Sequence, residues 1–68
     1  MITIRFFEEE DAKLFDEYLK EQDMDKLNFG WKLDGNDIEI QFEDIMEPMR
    51  YFRKFALKYG RLPKTVIF

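Results

Sequence analysis

Two stretches of helical periodicity set among four of strand periodicity, in the order β-α-β-β-α-β, predict an α+β domain of the ferredoxin-like type. Two helices would cover one face of a four-stranded antiparallel sheet of spatial order 4-1-3-2. Three observations carry this expectation: strict alternation at residues 2–7, a hairpin at 28–43 that selects its own register, and an amphipathic arc on either side of that hairpin. Sixty-eight residues suffice for one small domain, 1–68. A chain this short hides only about 60% of the surface its unfolded form exposes, so each large apolar residue counts. This one has eight Phe, three Tyr and one Trp.

Ile2, Ile4 and Phe6 alternate with Thr3, Arg5 and Phe7, as a strand with one buried side requires. From Glu8 the period changes. Leu14, Phe15, Tyr18, Leu19 and Gln22 share one arc of a 3.6-residue helix, and Glu9, Lys13, Asp16, Glu17 and Lys20 lie opposite. The acidic run Glu8-Glu9-Glu10-Asp11 suits the positive end of that helix, and Glu9/Lys13 and Asp16/Lys20 are i,i+4 pairs in the favourable order. At 28–43, a two-residue Gly35-Asn36 loop makes paired positions sum to 71, which sets Phe29 against Phe42, Trp31 against Ile40 and Leu33 against Ile38. Lys32 then faces Glu39 on the other side, and a one-residue slip would set Leu33 against Asp37.

The second helix has two candidate starts: a capping box of Asp44 and Glu47, or Pro48 as first helical residue. Gly60 predicts its end, with Pro63 three residues on. Residues 64–68 read as a last short strand, paired either within the chain or with a second copy.

Composition excludes much chemistry. The chain has no His, Cys or Ser and only two Thr, Thr3 and Thr65, so Ser-His and Cys-His nucleophiles, disulfides and Cys/His zinc sites are ruled out. Carboxylates, Lys, Arg and Tyr remain, and no spacing sets two of them together as acid and base; the expectation is a protein that is not an enzyme and takes no cofactor. Asp34 and Asp37 could face each other across the hairpin loop towards a hard cation, yet acids commonly flank such turns, and Asp23-Met24-Asp25 lacks the Gly and Glu of a calcium loop. No metal is assigned. The N-terminal residues carry neither a basic flank nor a long apolar run, so a cytoplasmic protein without membrane attachment is expected.

The formal net charge of −4 divides along the chain. Residues 1–47 hold all fifteen acids against five bases, which is −10; residues 48–68 hold six bases and no acid, which is +6. Opposite poles steer a charged partner, unless they satisfy each other in the fold. On the second helix, Phe52, Phe55, Ala56 and Tyr59 cluster inward with Met49 at the edge, and Arg50, Arg53, Lys54 and Lys58 lie opposite with Leu57 among them. Together with Arg61, this face has the form of an apolar anchor within a charged rim. An acidic surface of Glu9, Glu10, Asp16, Glu17, Asp23 and Asp25 could instead imitate nucleic-acid phosphates towards a basic partner. The open face of the sheet would show Thr3, Arg5, Phe7, Asn28, Gly30, Lys32, Asp37, Glu39 and Gln41, too few aromatics for base stacking. Phe7, beside Ile67, offers a small homodimer contact.

These surfaces favour a small acidic interaction protein that binds and occludes a protein partner, as inhibitors do, virus-encoded ones among them. Nucleic-acid binding through the basic segment 50–64 is the competing function, opposed by the −10 lobe. The absence of Ser, His and Cys also fits a designed scaffold without an evolved partner.

Overall fold

A computed structural model describes residues 1–68. The elements are β1 (Ile2–Phe6), α1 (Glu9–Lys20), a single 3₁₀ turn (Met24–Lys26), β2 (Phe29–Asp34), β3 (Asp37–Phe42), α2 (Met46–Tyr59) and β4 (Pro63–Ile67). The strands form one antiparallel sheet in the order β2-β3-β1-β4, which is the order 4-1-3-2 expected of a ferredoxin-like domain. The last strand pairs within the chain, with Thr3 opposite Ile67 and Arg5 opposite Thr65. A register shift between Arg5 and Phe6 sets Pro63 against Phe6 and leaves Lys64 as the extra residue of a bulge on this edge.

The hairpin has the expected register throughout, from Phe29 opposite Phe42 to Asp34 opposite Asp37. Gly35 takes φ +59° while Asn36 stays at negative φ, as a turn of the II′ kind needs at its first central position. Asn36 also ties the turn to β1, since Phe6 N–H donates to its carbonyl at 2.9 Å and its Nδ2 donates to the Phe7 carbonyl at 3.2 Å.

Ile2, Ile4 and Phe6 meet Ile38, Ile40 and Phe29 beneath Ala12, Phe15, Tyr18, Leu19 and Phe55, all buried. Phe55 is the hub of this core: its ring lies 4.8 Å from Phe15, 5.2 Å from Tyr59, 5.6 Å from Tyr18 and 6.1 Å from Phe6. Tilted and edge-on rings at these separations add to burial worth about 1.5–3 kcal/mol per large side chain. Helix α1 presents the predicted arc, with Leu14 and Gln22 half-buried at its margins.

Helix α2 begins two residues before Pro48, so neither predicted start is complete. The Asp44 carboxylate accepts Met46 N–H at 3.0 Å, but Glu47 turns forward to Arg50 at 3.3 Å and leaves the reciprocal half of the capping box unmade. Pro48 is tolerated because the first-turn N–H it lacks has no partner inside the helix. The helix ends as expected at Gly60, at φ +67°, whose N–H donates to the Ala56 carbonyl at 2.8 Å. No helix is long and apolar enough to cross a membrane.

Candidate partner-binding surface

With Phe55, Pro48 and Tyr59 turned to the core, the 100° advance per residue sends Met46, Arg50, Arg53, Lys54, Leu57 and Arg61 to the opposite side of α2 and its C-terminal extension. All six are exposed. Leu57 is 78% exposed at the centre of the basic group, and Met46, three turns earlier on the same face, is 66% exposed. Sequence reading misses Met46 because the Pro48 start leaves it outside the helix; once the start at Met46 is known, its i−4 spacing from Arg50 finds it.

The cations of this face differ in freedom. Arg50 is paired with Glu47 at 3.3 Å, and Arg61 reaches Asp11 of α1 at 3.5 Å. Lys54 lies over the Tyr51 ring at 5.9 Å and Lys58 over Tyr59 and Tyr18 at 5.2 and 6.0 Å, contacts that orient the ammonium groups without neutralising them. Arg53 makes no ion pair within the chain. The poles of the sequence thus meet at two points, Asp11 with Arg61 and Glu47 with Arg50, and Arg53, Lys54 and Lys58 stay unpaired around Leu57.

The acidic surface is altered in one respect. Asp16, expected opposite the core, is 8% exposed: its Oδ1 accepts the Trp31 indole N–H at 2.9 Å and its Oδ2 pairs with Lys20 at 2.9 Å. It holds α1 onto β2. A large neighbour with one polar atom overrides a helical arc here, because a half-buried indole N–H needs an acceptor. Glu9, Glu10 and Glu17 are exposed as expected, with Lys13 and Lys20 interleaved. Asp23 caps the 3₁₀ turn by accepting Asp25 N–H at 3.1 Å.

On the open face, Arg5 holds Asp37 through two bonds of 2.9 and 3.1 Å, which depresses the carboxylate pKa, chiefly by hydrogen bonding, and raises that of the guanidinium. Asp37 is therefore engaged by Arg5 rather than turned to Asp34. Phe7 is exposed but does not adjoin Ile67: Ile67 lies opposite Thr3, and Phe7 follows the far end of the same strand. The expected joint patch is not formed.

Depressions on the surface are open. One of about 470 Å³ lies over Gly30 between Met1, Lys32, Glu39 and Gln41, and another of about 520 Å³ runs along Trp31, Leu33 and Met24. Tyr18 has its pKa raised by burial, against the opposing pull of Lys58. The arrangement is suited to recognising an acidic surface. Searches with this sequence and fold find no matching protein family, no matching curated protein and no matching solved structure.

Proposed function

We propose that this chain is a small non-enzymatic interaction protein that binds and occludes a protein partner through the outer face of α2. The observation that carries the reading is Leu57, 78% exposed and surrounded by the unpaired cations Arg53, Lys54 and Lys58. An apolar anchor inside a ring of charge is desolvated on contact while the ring steers the encounter, and a residue that acts as a hot spot carries about 2 kcal/mol or more, about thirtyfold in affinity. The partner's complementary surface is acidic with an apolar recess. The acidic side of α1 supports the reading less well, since Asp16 is committed to Trp31 and lysines interrupt the rest.

Affinity capture with the wild-type chain, Leu57→Asp and the double reversal Arg53→Glu/Lys54→Glu tests it. A protein recovered by the wild type and lost tenfold or more with both variants is expected. Equal recovery by all three overturns the assignment to α2, and a salt-steep mobility shift of duplex or single-stranded nucleic acid, abolished by the double reversal, transfers the face to the competing function.

A further inference from the structure

We infer that the helix layer is self-complementary: two copies pack helix layer on helix layer about a two-fold axis parallel to the helices, with α2 of each seated on α1 of the other. The inference rests on the reading of α2 as a contact face and names a second copy as an occupant of that face.

The two helices run antiparallel, since Asp11 near the start of α1 meets Arg61 beyond the end of α2. Together with the contact of Phe15 and Phe55, this means that residue numbers at one height sum to roughly 70. The axis lays α1 of one copy over α2 of the next, again antiparallel, so each of the four helices has two antiparallel neighbours. Every contact then occurs twice, which closes the assembly at two copies.

Charge is what matches. Setting aside the internal pairs Asp16–Lys20, Asp11–Arg61 and Glu47–Arg50, the outer side of α1 and its cap keep Glu9, Glu10, Glu17 and Glu21 against Lys13, three negative charges in excess. The outer side of α2 keeps Arg53, Lys54 and Lys58, three positive charges in excess. By height, Glu17 falls level with Arg53 and Lys54 of the other copy and Glu21 level with Arg50, whose other partner is Glu47, while the aliphatic stem of Lys13 falls over Leu57. Lys13 also falls level with Lys58, the one like-charged contact between groups without an internal partner, against Glu17 facing both Arg53 and Lys54. Helices of 12 and 14 residues give a face roughly 20 Å on a side, a small interface. The association is accordingly weak, with Kd in the range of about 10 μM to 1 mM, and favoured at low salt.

Sedimentation velocity of the full chain over that concentration range tests it, at about 0.01 M and about 1 M salt, where the Debye length falls from about 30 Å to about 3 Å. A species of twice 8.4 kDa that is lost at high salt is expected. Two variants complete the test: Arg53→Glu/Lys54→Glu, which takes the formal charge from −4 to −8, and Glu17→Lys/Glu21→Lys, which takes it from −4 to zero. Each alone is expected to stay monomeric, and their equimolar mixture to dimerise; since one of the pair is neutral overall, bulk attraction does not produce that result. All four side chains are exposed, and circular dichroism checks that both variants fold. A monomer throughout, or a dimer that ignores salt and both reversals, such as one formed along the β4 edge, overturns the inference. A monomer that still loses a captured foreign protein on Leu57→Asp leaves the proposed function standing and removes this inference alone.

Discussion

Trp31 and Asp16 show how one polar atom can redirect a side chain against its helical arc. The indole N–H and the carboxylate are 2.9 Å apart, and Asp16 has Lys20 on its other oxygen. Removing the acceptor strands a half-buried donor, so Asp16→Ala is expected to destabilise the fold by about 1–3 kcal/mol in urea unfolding. Trp31→Phe removes donor and requirement together, and the double variant is expected to cost less than the sum of the singles, because the second change no longer leaves a polar group unmatched. Additive losses would mean that the bond contributes nothing. This pair was illegible in the sequence: residues fifteen apart on a helix and a strand become neighbours only once α1 is laid over β2. Leu57 was legible, since its surroundings are all on its own helix.

Among the elements, the hairpin was the easiest to read because its register, its turn and its cross-strand pairs agree, and a slip by one residue breaks all three. The start of α2 was harder, since a proline in the first turn is compatible with several boundaries and only the Asp44–Met46 bond selects one. The helix stop is the most exposed of these devices to mutation. Gly60 at φ +67° holds a left-handed conformation that a Cβ disfavours although nothing crowds the position, so Gly60→Ala is expected to lower stability by about 1–2 kcal/mol with an unchanged denaturant slope. No loss would place the α2–β4 connection outside the cooperative unit.

At the scale of the whole molecule, the core followed from periodicity, because each element hides one stripe, and the layer order followed from the β-α-β-β-α-β sequence of elements. The contact face was half legible: its cations and Leu57 followed from spacing, as did the i,i+3 pair of Glu47 and Arg50, whereas the loss of Arg61 to Asp11 depended on how the helices lie. Acid stability follows from the open face. Arg5 lowers the Asp37 pKa in the folded state, so the pair contributes stability above the ordinary carboxylate value of about 4 and loses it as pH falls through the lower folded value. In Arg5→Met that contribution is absent, and the stability lost by the variant is expected to be largest near neutral pH and to vanish towards pH 2, as urea midpoints measured across the range would report. A loss equal at all pH values would assign Arg5 a packing role instead.

The place of β1 in the sheet bears on the order in which the chain can fold. This strand is flanked by residues 37–40 on one side and 63–67 on the other, so its second neighbour is synthesised well after its first. At about 5–20 residues per second, translation separates β1 from β4 by about 3–12 s. Throughout that interval the strand that carries Ile2, Ile4 and Phe6 lacks the partner for its second edge. The sheet cannot close before Pro63–Ile67 is made, and a product interrupted before Pro63 would leave that edge of β1 without its neighbour.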